Sequence, residues 1–160
     1  MAKKKDKEKK PREFYNRKAF HDYEISDVLE VGIELKGSEV KSIRDGRVNI
    51  KDSFVRIIKS EMFILNMHIG ALPTTHVSYR PEEDRDRRIL LHRKQLNKFF
   101  EKVSKDGYTI VVTKLYFNTK NFVKLNIGLG RGKKLHDKRQ SLKEKDMKKQ
   151  TDRILKSWNR

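Results

Sequence analysis

Residues 108–129 have the sequence YTIVVTKLYFNTKNFVKLNIGL, in which two runs of residues flank the polar segment 118–121. Both runs are rich in β-branched and aromatic residues, which favour strands. The intervening Asn and Lys residues are suited to a turn. The pattern predicts a β-hairpin that pairs 108–117 with 122–129.

Other strand signals lie upstream of this hairpin. Apolar residues dominate 23–35 and alternate strictly with other residues over 29–35, which predicts a strand with one buried face. The runs 53–58 and 62–69 are joined by a short polar link and predict a second hairpin.

Two helices and a loop complete the pattern. A helix is predicted over 93–105, with Gly107 in its stop signal, because four apolar residues recur at helical spacing. These residues are Leu96, Phe99, Phe100 and Val103. A shorter helix is predicted over 39–44, capped by Ser38 and closed at Gly46. The polar stretch 74–86 predicts an exposed loop.

About six strands with few helices favour a closed sheet, because closure removes exposed strand edges. The expected fold is mostly β: an oligonucleotide-binding-type closed β-barrel of about six antiparallel strands, with two or three short helices. The expected organisation is a mobile basic segment over 1–13, an RNA-binding barrel over 14–130, and a basic C-terminal tail over 131–160 that is disordered when free.

Charge indicates the class of partner. The 160 residues include 40 Lys and Arg against 22 Asp and Glu, a net charge of +18, and no Cys. A positive body with positive tails favours nucleic acid as partner, with an anionic membrane as the alternative for the tails. The N-terminus has no apolar signal sequence, so a cytoplasmic protein is expected. The free protein is expected to be a monomer.

The sequence offers little catalytic chemistry. Without Cys there is no disulfide, thiolate metal site or thiol nucleophile. The five His residues have no metal-ligand spacing, and the segment 128–134 lacks the spacing of a phosphate-binding P-loop. We therefore expect no enzyme, cofactor or metal; a nuclease is the disfavoured alternative.

The segment 128–134 nonetheless has a pattern suited to phosphate. Its alternate glycines would let the backbone approach a phosphate closely, and three cations would supply the counter-charge. The three cations are Arg131, Lys133 and Lys134. A flexible linker between barrel and tail is an equally open interpretation.

Three blocks, 37–53, 88–92 and 132–139, strongly resemble the small protein B family of tmRNA-binding proteins. The resemblance implies a barrel that binds the tRNA-like domain of tmRNA and accompanies it into stalled ribosomes for trans-translation. The barrel would stand where a tRNA anticodon arm lies, and the tail would enter the empty mRNA channel. A general structured-RNA-binding or ribosome-associated protein without tmRNA preference is the alternative.

The resemblance also implies site residues. The set that contacts or supports RNA would be Asn16, Tyr23, Glu30, Lys41, Arg44, Asn49, Leu90 and Lys124. The set at the decoding centre and mRNA channel would be His21, Asp137, Lys138, Arg139, Lys143, Lys145, Met147 and Ile154.

Three of these positions carry open questions. Glu30 repels phosphate, so it would accept from a base amine or a 2′-OH, orient a basic neighbour, or simply face solvent. Leu90 is more often a core residue than a contact. Family tails commonly have Trp near Met147, so base stacking would be lost there while apolar packing survives.

Overall fold

The computed structural model describes residues 12–133, 142–144 and 146–151. The strands are β1 (Glu13–Tyr15), β2 (Tyr23–Ile33), β3 (Val48–Asn49), β4 (Phe54–Ile58), β5 (Glu61–Leu65), β6 (His68–Ile69), β7 (Arg87–Leu90), β8 (Thr109–Phe117) and β9 (Val123–Gly132). The helices are α1 (Arg17–Asp22), α2 (Gly37–Arg44) and α3 (Arg93–Asp106), with a 3₁₀ turn at Val77–Tyr79.

Six antiparallel strands pair in a ring. The order is β8–β4–β5–β7–β2–β9, and β9 pairs again with β8. β1 adds to β8 beside β4, and β3 pairs with β6 in a separate two-stranded ribbon. The predicted mostly β fold with about six strands and few helices is confirmed.

The predicted strand 23–35 is present as β2, and its pairing with β9 covers the longest stretch of the ring. β2 pairs with β9 from Tyr23, opposite Gly132, to Gly32, opposite Lys124. A bulge between Ser26 and Leu29, with φ of 48° at Asp27, shifts the register midway. The predicted β8–β9 hairpin is also present, and β9 continues to Gly132, two residues past the predicted end of the barrel.

The glycine-rich part of 128–134 is therefore neither a flexible linker nor an open cradle at its first glycines. A Cβ on Gly128 would lie 2.6 Å from Ile25 Cγ2, and a Cβ on Gly130 would lie 3.1 Å from the Tyr23 ring. The missing side chains make room for β2 rather than for a phosphate. The linker interpretation of this part of the segment was wrong, because glycine in a strand can mark close packing; phosphate binding by Arg131, Lys133 and Lys134 stays a prediction.

The second hairpin is shorter than predicted. β4 and β5 join through Lys59 and Ser60, both at positive φ, as a tight two-residue turn requires. β5 ends at Leu65 because Asn66 has φ of 55°. The end of the predicted run, His68–Ile69, instead pairs with Val48–Asn49.

The short helix begins before its predicted cap. Its N-cap is Lys36, and the Lys36 N–H donates to the Glu39 carboxylate over 2.7 Å. Ser38 lies inside the first turn, so its predicted capping role was wrong. Gly46 follows the helix at φ of 88°, as a helix stop requires.

The long helix α3 has a narrower buried face than its apolar stripe predicted. Leu96 and Phe99 are buried against the sheet, and Val103 is partly buried. Phe100 belongs to the same apolar stripe but is 52% exposed, so it lies outside the core. Gly107 ends the helix in the left-handed conformation, as predicted.

A buried ion pair joins α2 to the ring. Arg87 on β7 and Glu39 on α2 are 0% and 1% exposed, and Arg87 Nε lies 2.9 Å from Glu39 Oε1. Arg85 also donates twice to this carboxylate, at 2.9 and 2.7 Å. Arg87 further donates to the carbonyls of Met67, Glu83 and Arg85, over 2.6 to 2.9 Å. One side chain thus ties strand, loop and helix together.

Protonation of Glu39 should weaken this cluster. Burial alone would raise the pKa of Glu39, but hydrogen bonds from Arg85, the Lys36 N–H and Arg87 hold it below its ordinary value. A carboxyl group with a depressed folded pKa stabilises the fold above its unfolded pKa of about 4.3, and this stability is lost as pH falls through the folded pKa.

We expect Glu39→Gln to lower the free energy of unfolding at pH 7 by about 3 kcal/mol, because it leaves the Arg87 charge buried and unpaired. Urea unfolding measures this loss of stability. The difference in free energy of unfolding between the variant and the wild type should become smaller as pH falls below about 4. Glu61→Gln is the matched control, since Glu61 pairs with Arg88 at the surface and should cost below about 1 kcal/mol. Equal losses in the two variants would contradict the role of the buried pair.

Candidate nucleic-acid interface

Strand register brings three of the predicted RNA residues onto one outward face. Gly32 on β2 lies opposite Lys124 on β9 and opposite Leu90 on β7. Lys124, Gly32 and Leu90 therefore form one row across the three strands. Glu30 lies two residues before Gly32 and shares its face. Leu90 is 48% exposed, which excludes the core position that its apolar character favoured.

Glu30 is held by its neighbours on this face. Its carboxylate accepts a hydrogen bond from the Tyr116 hydroxyl and lies 3.7 Å from Lys124 Nζ. The hydrogen bond to Glu30 is the main cause that raises the pKa of Tyr116 above its ordinary value. Among the three roles left open for Glu30, this geometry favours orientation of a basic neighbour.

A second group of predicted residues lies on α2 and the adjoining ribbon. Lys41 and Arg44 are exposed and one turn apart. The Arg44 guanidinium lies 5.5 Å from the centroid of the Phe117 ring, which orients it by a cation–π contact. Asn49 is exposed on β3, and its Oδ1 accepts from the Lys51 N–H over 3.1 Å.

Asn16 was predicted to contact or to support RNA, and the structure places it in a buried, structural position. It is 1% exposed and caps α1, with Oδ1 accepting from the Ala19 N–H over 3.0 Å. Its Nδ2 donates to the Ile50 carbonyl over 2.9 Å, and its backbone N–H donates to Thr113. RNA cannot reach it, so only the supporting role is compatible with the structure.

A third group forms where α1 meets the end of β9. Tyr23 follows α1, and its ring packs on Gly130. Lys133 Nζ donates to the Phe20 carbonyl over 3.2 Å, and His21 Nδ1 lies 3.0 Å from Asp22 Oδ1. Arg131 is exposed on β9. The end of α1 therefore holds Lys133 through the Phe20 carbonyl, next to His21 in the chain.

The tail set is only partly described. Lys143 and Met147 lie in exposed helical segments, 142–144 and 146–151, and Met147 is 64% exposed. The remaining predicted residues of this region lie outside the described residues; they are Lys134, Asp137, Lys138, Arg139, Lys145 and Ile154. Disorder of the free tail stays a prediction.

Two residues of β8 belong to the outward face but were not singled out from the sequence. Lys114 and Tyr116 point outward because Leu115 and Phe117 are buried. This alternation was readable in the sequence. What it could not give is the register that sets Tyr116 opposite Lys124 and next to Glu30.

The described residues contain neither a candidate metal-ligand cluster nor a candidate membrane-spanning helix. Within 12–133, 142–144 and 146–151, no three His, Cys, Asp or Glu residues are placed to hold a metal ion. None of the helices in these ranges has the length and apolar character that would span a membrane.

Sequence comparison finds close relatives along most of the chain. The profile of the family described as SmpB protein matches residues 13–157. An SsrA-binding protein of Campylobacter fetus is 54% identical over 143 residues, covering 89% of this chain and 95% of the relative. An SsrA-binding protein of Nitratiruptor is 53% identical with the same coverage.

Structure comparison agrees with the sequence relatives. A solved chain described with the words "tmRNA-SmpB: a journey to the center of the bacterial ribosome" matches with a TM-score of 0.64 and 40% identity. The match covers 77% of this chain and 85% of the solved chain.

We expect Asn16→Ala to lower the free energy of unfolding by about 2 kcal/mol, because it removes a helix cap and one of the buried hydrogen bonds to the Ile50 carbonyl. Asn49→Ala is the matched control at an exposed position and should change stability by less than about 0.5 kcal/mol. Thermal and urea unfolding give both values. Equal stability of the two variants would mean that Asn16 has no supporting role.

Proposed function

The chain belongs to the SmpB protein family, and on that premise we propose that it binds tmRNA and delivers it to the ribosome. The observation that carries the proposal is the family match over residues 13–157. The SsrA-binding relatives and the solved chain of the tmRNA-SmpB description support the same partners. The function is ribosome rescue by trans-translation, in which incomplete proteins are tagged.

The barrel binds the tRNA-like domain through its outward face. Lys124 neutralises a phosphate while Glu30 holds the ammonium group in place, at 3.7 Å. Leu90 offers an exposed apolar surface for a sugar or base in the same row. Folded RNA is recognised largely by shape, and a row of contacts fixed by strand register suits a rigid RNA elbow.

The other cationic groups engage RNA beyond this row. Lys41, Arg44 and Asn49 contact the tmRNA, and the Tyr23 ring at the end of α1 offers a flat face for base stacking. His21 faces the decoding centre, where its imidazole can stack on a base. Arg131, Lys133 and Lys134 neutralise phosphates near the start of the tail, which enters the mRNA channel with Asp137 and the residues after it.

We also propose the finer features of the fold and setting. The six-stranded ring is an oligonucleotide-binding-type closed barrel, since β9 pairs with both β2 and β8. The protein works as a monomer in the cytoplasm and catalyses no reaction. Its role is to position an RNA, which requires complementary shape and charge and no catalytic side chains.

Competition binding at fixed salt tests the function. A fragment of the tmRNA tRNA-like domain should bind at least about 100-fold more tightly than elongator tRNA, a smaller preference than the ~10³-fold or more by which specific nucleic-acid binding typically exceeds non-specific binding. Charge alone would bind both RNAs with similar affinity, because phosphate contacts carry no sequence information. Similar affinities would favour a general structured-RNA-binding protein instead.

Truncation tests the division between barrel and tail. A chain that ends at His136 should bind the tmRNA fragment within about threefold of the full chain, because the predicted tmRNA contacts lie in residues 16–134. The same chain should fail to support tagging on stalled ribosomes in a reconstituted translation assay. Loss of tmRNA binding on truncation would show that the tail, too, holds the RNA.

A further inference from the structure

The outer surface of β1, β8 and β9 carries a cluster that none of the roles above uses. We name it the aromatic patch, and it consists of Glu13, Tyr15, Lys114, Tyr116 and Asn126. Register builds it: Glu13 lies opposite Tyr116, and Tyr15 lies opposite Lys114. Lys114 in turn lies opposite Asn126 on β9.

Lys114 is the centre of the patch. Its Nζ lies 5.1 Å from the centroid of the Tyr15 ring and 4.6 Å from that of Tyr116. The same Nζ donates to Glu13 Oε1 over 2.8 Å, and the Tyr15 hydroxyl donates to Glu13 Oε2 over 2.6 Å. The Lys114 side chain is only 21% exposed. These contacts hold two aromatic rings in place on the protein surface.

The aromatic patch has an exposed ring at Tyr15 and, at Asn126, an amide oxygen without a hydrogen-bond partner in the part of the chain that the structure describes. Tyr15 is 54% exposed although its hydroxyl and ring are held. Asn126 Oδ1 is covered and has no hydrogen-bond partner among the described residues. The exposed Tyr15 ring is therefore the part of the patch that a ligand can reach.

The local charge indicates which part of an RNA would fit. Lys114 is balanced within the patch by Glu13, 2.8 Å away, in a chain whose net charge is +18. A neutral surface attracts phosphate weakly, whereas aromatic faces and oxygen acceptors suit a base with an exocyclic amino group. The neighbouring Tyr116 contacts Glu30 and so joins the patch to the outward row.

We propose that the aromatic patch binds one unpaired base of the RNA held by the outward row. The base stacks on Tyr15, and the exposed Glu13 carboxylate accepts a hydrogen bond from its amino group. This inference rests on the proposed function, because the outward row must bring the RNA to the patch. The patch adds a base contact to a surface that otherwise contacts the RNA backbone.

Tyr15 variants test the proposal with the tmRNA fragment as probe. Tyr15→Leu should weaken binding about five- to tenfold through lost stacking, and Tyr15→Phe should bind within about twofold because the ring remains. Tyr79→Leu is the matched control, since Tyr79 is 79% exposed in the loop before β7 and should have no effect. Circular dichroism checks that each variant is folded.

Salt dependence separates a base contact from a phosphate contact. The slope of log Kd against log salt should be unchanged in Tyr15→Leu but should fall by about 0.7 to 0.9 in Lys124→Met. Binding by Tyr15→Leu equal to that of the wild type would overturn the patch alone, provided that the wild type still prefers tmRNA. A wild type without that preference would overturn the proposed function as well.

Discussion

The buried pair of Arg87 and Glu39 is the contact on which the arrangement of this protein depends. An isolated charge cannot be buried, so each residue requires the other, and the carbonyls that Arg87 contacts must also be in place. The pair thereby fixes α2 against the ring and sets where Lys41 and Arg44 face. The surface proposed to bind RNA through Lys41 and Arg44 is thus positioned by a fully buried contact.

Local patterns predicted the elements better than their connections. The alternation in 29–35 and the turn residues at 118–121 are properties of neighbouring residues, so the strands that they predict are present. The end of β5 and the exposure of Phe100 depend on how distant segments pack. The cap at Lys36 depends on Glu39, whose position is set by Arg85 and Arg87.

The sequence indicated which residues belong to the candidate site, but it did not indicate how they are arranged. Resemblance to a family supplied Glu30, Leu90 and Lys124, and strand register then placed them side by side. Asn16 could have been recognised as a helix cap, since Asn directly precedes the first turn of α1. The contact between Tyr116 and Glu30 joins residues 86 positions apart, which no local pattern predicts.

Because β1 is added outside the six-stranded ring, the stability of the ring and the affinity for RNA at β1 can vary separately. β8 pairs with β4 near its start and with β1 further along, so the six-stranded ring is complete without β1. Glu13 and Tyr15 can therefore change over evolutionary time while the ring keeps its hydrogen bonds. Divergence among relatives can adjust affinity for an RNA at this appended edge without passing through an unstable intermediate.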